Sequence, residues 1–309
     1  MQAIRFHRYG APEVMALEPI EAAALPAGHV RIRMQAAGVA PVDTKLRAGL
    51  LQQHIPTVLP KVPGRDGTGI VEALGAGVDD LAIGDAVCVI AGMQDQGSYA
   101  ESLVLPRQRV VARPQRLSLR EAAILLQPGA SAWIPVVQTA AVGAGMKVLI
   151  HAGSGAVGSL MVQLAAHLGA EVWATCRQAN ADYVAQLGAQ HVIAYDQQDF
   201  SGLSGFDVVF DMVGGATHDQ SYALLKRGGH LVWLVAAPIR ERGDEFGVRV
   251  QRAMITDAPE ALQQVASLAQ LGVLTPTVGQ SFPLARAADA HALLESGQAP
   301  RGRIVLDIP

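Results

Sequence analysis

Residues 147–170 read KVLIHAGSGAVGSLMVQLAAHLGA. The run KVLIHA is typical of a buried strand, and it leads directly into a glycine-rich turn, GSGAVG, at residues 153–158. After the turn, apolar residues recur at the spacing of a helix that packs one face on a sheet: Val157, Leu160, Met161, Leu164, Ala165 and Leu168. Gly169 is a natural helix terminator. The stretch therefore predicts a strand, a tight turn and an amphipathic helix.

The pattern of predicted elements differs between the two parts of the chain. From about residue 120, strand-like runs (EVWATC, HVIAY, DVVFDMV, HLVWLVAA) are separated by helix-length segments, which predicts a doubly wound parallel sheet of α/β class. Before it, runs such as HVRIRMQAAGV and DAVCVIAG stand between Gly and Pro turns and predict a β-rich domain, a small barrel or an open antiparallel fold. The last strand-like run, GRIVLDIP, returns to that style. We expect one domain at residues 1–119, a second at 120–274, and a segment at 275–309 that completes the first.

Composition excludes several classes of protein. The chain has 309 residues, 24 Lys and Arg against 27 Asp and Glu, and a formal net charge of −3, with no run of like charge that would indicate nucleic-acid binding. The opening MQAIRFHRYG carries charges where a signal peptide needs an apolar core, so the cytoplasm is expected. Residues 122–146 are uncharged, but Gln, Pro and Gly interrupt them, which indicates a buried segment and not a membrane span. The two cysteines, Cys88 and Cys176, lie in strand-like runs and are expected to be buried, reduced thiols.

The glycine turn carries the most specific chemical signal in the chain. Gly153 is expected to permit the tight turn, Gly155 to let the backbone approach a pyrophosphate, and Gly158 to let the helix lie close to the strand. The helix N-terminus adds N–H donors and a positive dipole. We therefore predict a dinucleotide-binding loop made of Gly153, Ser154, Gly155, Ala156, Val157 and Gly158.

The end of the second strand indicates which dinucleotide. An NAD-binding protein needs a carboxylate there for the ribose hydroxyls, but residues 172–181 read VWATCRQANA, and Glu171 stands at the opposite end of the strand. Arg177 is the candidate ligand for a 2′-phosphate, with Thr175 and Asn180 as neutral donors, which favours NADPH. The alternative is that Arg177 is a solvated loop residue.

Taken together, the motifs resemble the medium-chain dehydrogenase/reductase superfamily, specifically its zinc-independent quinone oxidoreductase branch. The resemblance runs nearly end to end through AAGVAPVDTKLRAG, VPGRDGTGIVEALGAGV, GSYAESLVLP, the Rossmann stretch, FDMVGG and FPLARAADAHALLESGQAPRGRIVL. It implies a GroES-like catalytic domain followed by a Rossmann domain, a cofactor in the cleft between them, and a homodimer.

The zinc signatures of this superfamily are missing. The segment at residues 39–43 reads VAPVD without a cysteine, and residues 64–66 read Gly-Arg-Asp where a zinc enzyme has Gly-His-Glu. Zinc requires thiolate or neutral imidazole ligands, and Arg65 would repel the ion. Two cysteines cannot build the four-cysteine structural lobe either. We expect no metal.

The resemblance also suggests further site residues. Asp43 would face the nicotinamide; the alternative is a structural role in which its carboxylate ties the loop to a backbone amide. Substrate contacts would come from Leu50, Leu51, Gln127 and Ser131. Tyr195 would lie beside the adenine ribose, or simply pack at a strand end. The nicotinamide would be bordered by Val213, Gly214, Val235 and Ala236, for which ordinary sheet core is the alternative.

Hydride transfer needs no protein nucleophile, because the chemistry belongs to the cofactor. Without a Lewis acid, an alcohol has no strong route to the alkoxide, whereas a quinone or an α,β-unsaturated carbonyl accepts hydride with hydrogen-bond assistance. Three hypotheses follow in order: an NADPH quinone reductase, an NADPH reductase of enones or enoyl thioesters, and a non-catalytic NADPH-binding sensor.

Overall fold

The computed structural model describes residues 1–235 and 238–309. These residues form two compact units: a first unit of Met1–Gln127 with Asp257–Pro309, and a second unit of Pro128–Thr256. These units divide the chain at 127/128 and 256/257, whereas the sequence-based domain boundaries stand at 119/120 and 274/275. Residues 120–127 belong to the first unit, and so does helix α8 (Pro259–Gln270), which packs on strand β7 (Val110–Ala112). A helical pattern shows that one face is buried, but it does not say against which sheet.

The first unit is built mainly on one antiparallel sheet. Its strands are β1 (Gln2–Phe6), β2 (Met15–Pro19), β3 (His29–Val39), β4 (Asp66–Leu74), β5 (Ala86–Ile90), β6 (Ser102–Pro106), β7, β14 (Val278–Pro283) and β15 (Arg303–Asp307). The main sheet has the order β14-β15-β3-β4-β5-β7, with β6 also paired to β3, and β1 pairs with β2. All these pairs are antiparallel except β14 with β15. The final strand β15 pairs with β3, so the end of the chain completes the sheet of the first unit.

Alternation of buried and exposed side chains explains how this sheet encloses its core. In β3, Val30, Ile32 and Met34 are fully buried while Arg33 between them is exposed, the period of two expected for a strand with one face inward. Helices α1 (Pro41–Arg47), α2 (Leu119–Ala122) and α9 (Ala287–Glu295) accompany the strands. The β-rich prediction for this part of the chain is confirmed.

The second unit contains a wholly parallel sheet. Its strands are β8 (Lys147–Ile150), β9 (Glu171–Cys176), β10 (His191–Ala194), β11 (Phe206–Asp211), β12 (Leu225–Trp233) and β13 (Arg249–Arg252). Within the described residues the order is β10-β9-β8-β11-β12-β13, with every neighbouring pair parallel. The order reverses between β8 and β11, which is the arrangement of a dinucleotide-binding sheet.

The helices of this unit are α4 (Ala156–His167), α5 (Ala181–Gln186), α6 (Ala216–Leu224) and α7 (Gly243–Phe246), while α3 (Leu126–Trp133) runs across the division between the units and continues into a π-helical turn, Ile134–Thr139. Four residues of the predicted α4 stripe, Leu160, Met161, Leu164 and Ala165, are buried. The helix ends before Gly169, whose φ of +80° requires a glycine.

The uncharged segment at residues 122–146 thus forms short helical pieces. Among the described residues, no helix combines the length and the apolarity needed to cross a membrane. Cys88 and Cys176 are free and buried, as expected.

Candidate functional site

The glycine loop connects β8 to α4, at the point where the order of the parallel sheet reverses. A Cβ on Gly158 would lie 2.2 Å from the carbonyl oxygen of Ala152, and one on Gly153 would lie 2.8 Å from Cβ of Ala174 in β9. Gly155, in contrast, is the N-cap of α4, and a Cβ there would meet only the Ala152 oxygen at 3.2 Å. Gly158 and Gly153 therefore permit close packing, and Gly155 presents bare backbone at the start of the helix.

One detail of this loop differs from the expectation. The left-handed residue of the turn is Ala152, with φ of +54°, and not Gly153. Glycine is needed at position 153 because Ala174 on the adjacent strand leaves no room for a Cβ there. Ser154, Ala156 and Val157 complete the loop and are all partly exposed.

The ends of β9 and β10 lie next to this loop and bring several predicted residues together. Arg177 follows β9 directly and is exposed, and its Nε donates to the hydroxyl of Tyr195 at 3.2 Å. Asn180 donates from Nδ2 to Ser154 Oγ at 3.4 Å, which links this turn to the glycine loop. The Asp196 carboxylate accepts the backbone N–H of Gln178 at 2.8 Å, at the start of the turn that follows β9.

Thr175 is placed differently from its neighbours, because its side chain points into the unit. It is only 3% exposed, and its hydroxyl accepts the backbone N–H of Ala152 at 3.2 Å and lies 3.2 Å from Nδ1 of His151. Burial lowers the pKa of His151 to about 4, so this imidazole is neutral. Thr175 therefore supports the glycine loop from beneath.

The loops after β11 and β12 contain the residues expected to border a nicotinamide. Asp211, at the end of β11, is fully buried and accepts the backbone N–H groups of Val213 and Gly214 at 2.8 and 2.9 Å. Val213 is 53% exposed, and Val235 is half-buried within van der Waals distance of the Cβ position of Gly214. Val213 and Val235 thus stand at strand ends and outside the sheet core. Ala236 lies outside the described residues.

In the first unit, Asp43 is 2% exposed at the start of α1. Its Oδ2 accepts the backbone N–H of Ala40 at 2.8 Å, and the Tyr99 hydroxyl lies 3.5 Å from Oδ2 and 3.2 Å from Nε2 of His291. Burial raises the pKa of Asp43 to about 6, partly offset by the Ala40 hydrogen bond and by the charge of Arg303. The hydrogen bond from Ala40 joins this carboxylate to the N-cap residue of α1.

Two arginines occupy the region where the sequence lacks zinc signatures. Arg303 forms a buried ion pair with Asp66 at 2.5 Å, and Arg65 pairs with Asp257 at 2.5 Å. Within residues 1–235 and 238–309, no cluster of three or more His, Cys, Asp or Glu is arranged to hold a metal ion. The donor chemistry at Arg65 does not fit zinc.

The predicted substrate residues are distributed over both units. Leu50 is 72% exposed and Leu51 half-buried in the turn after α1. The backbone N–H of Gln127 donates to Asp66 Oδ1 at 3.0 Å. Ser131, in the second unit, is 6% exposed within α3.

Sequence reasoning missed a set of buried polar residues beneath the loops of the second unit. They are His151, Asp211, His218, Ser221 and Tyr222. The signal that was available is the spacing of His218, Ser221 and Tyr222, which places three polar residues on one face of α6, the face where an amphipathic helix usually carries apolar ones.

The matching protein families agree with this geometry. An alcohol dehydrogenase GroES-like domain matches residues 26–115, and a zinc-binding dehydrogenase domain matches residues 187–306. A quinone oxidoreductase of Sus scrofa is 31% identical over 324 residues, covering 99% of this chain and 97% of the relative. A 2-haloacrylate reductase of a Burkholderia species is 32% identical over 333 residues, covering 99% and 98%.

Among solved structures, the quinone oxidoreductase of Escherichia coli in complex with NADPH superimposes with a TM-score of 0.87 at 27% identity, covering 99% of this chain and 100% of that one. The fold and the site define an oxidoreductase with a GroES-like domain and a Rossmann domain. The chain belongs to the medium-chain dehydrogenase/reductase superfamily, in its quinone oxidoreductase branch.

Proposed function

We propose that this oxidoreductase uses NADPH and transfers hydride, without a metal ion, to a small quinone. The observation that carries the choice of cofactor is the position of Arg177. It is exposed at the end of β9, beside Tyr195 and one turn away from the glycine loop. The position where an NAD-binding protein has a ribose-binding carboxylate is occupied here by a guanidinium, which binds a 2′-phosphate in a bidentate manner.

The glycine loop and the strand ends of the second unit are suited to a nicotinamide dinucleotide. The surface at Gly155 is open where a Cβ elsewhere in the loop would clash, so the backbone N–H groups at the start of α4 are available to a pyrophosphate. Arg177 and Tyr195 would hold the adenosine half, and Val213, Gly214 and Val235 the nicotinamide half. When bound, the reduced nicotinamide supplies the hydride.

The acceptor class follows from what the side chains can stabilise. Reduction of a saturated aldehyde produces an alkoxide, which a strong electrophile such as a metal ion must stabilise. The side chains around Arg65 do not suit a metal ion. A quinone spreads the new charge over an aromatic system, so hydrogen-bond donors suffice. We propose that Gln127 and Ser131 assist the acceptor, that Leu50 and Leu51 provide apolar contact, and that Asp43 positions its loop without exchanging protons with the acceptor.

A reductase of activated carbon–carbon double bonds is the second candidate. The 2-haloacrylate reductase relative, at 32% identity over the full length, favours it. Such an acceptor also takes hydride without a metal when a carbonyl is conjugated to the alkene.

The experiment that distinguishes these activities is a steady-state panel with the purified protein and NADPH. The acceptors are 1,4-benzoquinone, 2-cyclohexen-1-one, 2-chloroacrylate and hexanal, and consumption of reduced nicotinamide is the readout. We expect the highest kcat/KM with the quinone, a lower one with the unsaturated acceptors, and none with hexanal. Fastest turnover of hexanal would refute the metal-free proposal, and fastest turnover of 2-chloroacrylate would favour the second candidate. NADPH binding without any turnover would indicate a sensor.

We also infer a homodimer from the family resemblance. Light scattering of the purified chain at micromolar concentration tests the oligomeric state. A mass equal to one chain would contradict the dimer.

A further inference from the structure

Helix α6 carries an unusual buried polar face. His218, Ser221 and Tyr222 are each no more than 1% exposed, and the helix packs on β11 and β12. Burying three polar side chains at a helix–sheet contact is costly unless each is hydrogen-bonded. Each of them is, and the bonds lead outward to loops at the carboxyl edge of the parallel sheet.

The first set of bonds starts at His218. Nδ1 of His218 lies 2.7 Å from Asp211 Oδ2, and Nε2 lies 3.1 Å from the Tyr222 hydroxyl. That hydroxyl donates to the carbonyl of Arg240 at 3.0 Å and accepts the backbone N–H of Arg242 at 3.2 Å. A phenol has only one proton to donate, so its remaining lone pair accepts from Nε2–H of His218.

Asp211 completes this set on the other side of the imidazole. Its Oδ1 accepts two backbone N–H groups, from Val213 and Gly214, and its Oδ2 shares one proton with Nδ1 of His218. Both carboxylate oxygens of Asp211 therefore have hydrogen-bond partners, which complete burial of this side chain requires. The loop after β11 and the segment at residues 240–242 are therefore joined through two side chains of α6.

The second set of bonds starts at Ser221 on the same helix. Its hydroxyl donates to the carbonyl of Thr217 at 2.7 Å, so its oxygen accepts from Nε2–H of His151 at 3.2 Å. Because His151 is neutral, its Nδ1 accepts from the Thr175 hydroxyl, whose oxygen in turn accepts Ala152 N–H. Each hydrogen bond in this series therefore has one donor and one acceptor. The series ends at Ala152, the left-handed residue of the glycine loop.

We propose that α6 is the positioning element of the dinucleotide site, with Ser221 aligning the glycine loop through His151 and Tyr222 aligning the nicotinamide-side loops through His218. The inference rests on the proposed function, because it assigns these loops to a nicotinamide dinucleotide. None of the three α6 residues touches the cofactor in this account; they act through the loops. In a doubly wound sheet the two halves bind the two nucleotide halves, so the two sets of bonds act on different parts of the ligand.

The test uses two ligands that separate these parts. Adenosine 2′,5′-bisphosphate occupies only the adenosine half, whereas NADPH occupies both. Tyr222→Phe removes the hydroxyl and keeps the ring that stacks on Phe246. We expect it to raise the Kd of NADPH about ten-fold and to leave the Kd of adenosine 2′,5′-bisphosphate within a factor of about two. Ser221→Ala, which acts on the glycine loop, is expected to weaken both ligands by a similar factor. Gln220→Ala, at an exposed position of the same helix, is the matched control and should change neither.

A general loss of stability would weaken both ligands in both variants, so equal weakening by Tyr222→Phe would overturn the proposal. So would an unchanged Kd of NADPH in a Tyr222→Phe protein with a cooperative thermal transition. If Tyr222→Phe does not fold, Ser221→Ala decides: unchanged Kd values for both ligands overturn the proposal. If the unmutated protein binds neither NADPH nor NADH, the proposed function itself fails, and this result is distinguishable from the others.

Discussion

Substitution by alanine should affect two glycines of the glycine loop differently: at Gly158 it should lower stability, and at Gly155 it should weaken cofactor binding. A Cβ on Gly158 would lie 2.2, 2.9 and 3.1 Å from the Ala152 oxygen, the Ala152 carbonyl carbon and Gly153 Cα, all of them backbone atoms that cannot rotate away. Gly158→Ala therefore forces α4 away from the loop. Overpacking of this kind costs about 1–3 kcal/mol, and rigid neighbours favour the upper end. At roughly 2–4 °C per kcal/mol for a domain of this size, the Tm should fall by about 6–12 °C.

Gly155→Ala is the matched change three residues earlier. Its φ of −74° and ψ of 168° suit alanine, and the nearest atom to the new Cβ is 3.2 Å away. The weaker N-cap and the lower entropy of the unfolded chain nearly cancel, so the free energy of unfolding should change by less than about 1 kcal/mol. The methyl group covers backbone that a pyrophosphate must approach, and NADPH binding should weaken about ten-fold or more.

The assay combines thermal unfolding with calorimetric titration of NADPH for both variants. A Gly155→Ala protein that binds NADPH like the unmutated chain would refute the assignment of this loop. Equal losses of Tm in the two variants would refute the packing argument.

Three other outcomes are expected. Arg177→Glu should weaken NADPH binding by about 1–3 kcal/mol, through a lost charge-assisted contact and added repulsion, and calorimetry should show a smaller effect on NADH. Burial raises the pKa of Asp43 from 3.8 to about 6, so the fold favours its protonated form and loses about 3 kcal/mol of stability as pH rises through that interval. Asp43→Asn keeps an acceptor for Ala40 N–H and should remove this pH dependence. The measurement is the free energy of urea unfolding at about pH 4 and about pH 7. An equal change between the two pH values in the variant and the unmutated protein would contradict the raised pKa of Asp43. Elemental analysis should find no stoichiometric zinc, and NADPH-dependent activity should persist in a strong chelator; about one zinc per chain would contradict the account of Arg65.

The sequence predicts those parts of the molecule that depend on local patterns. The strand, turn and helix of residues 147–170 are readable because the helical stripe and the glycine spacing lie within one stretch of chain. The proximity of Arg177 and Tyr195 is also accessible, since residues that follow neighbouring parallel strands lie at the same sheet edge. The first unit was harder to delimit, because α8 has an ordinary amphipathic pattern that does not identify its partner.

The buried polar connections could not be predicted, because they join residues distant in sequence. His151 and Ser221 are 70 positions apart, and their contact depends on where α6 packs. Thr175 was expected to face a ligand, but the direction of a side chain at a strand end is set by the pleat and by the neighbouring loop. Likewise, the left-handed residue of the turn is Ala152 and not Gly153, although glycine is the usual residue in that conformation.

We propose that the carboxyl edge of the parallel sheet holds a dinucleotide with a 2′-phosphate. Calorimetric titration of the unmutated protein with NADPH and with NADH, at the same pH and ionic strength, tests it most directly. We expect NADPH to bind with a Kd lower by about ten-fold or more, the contribution of one charge-assisted guanidinium–phosphate contact. NADH binding as tightly as NADPH would contradict it.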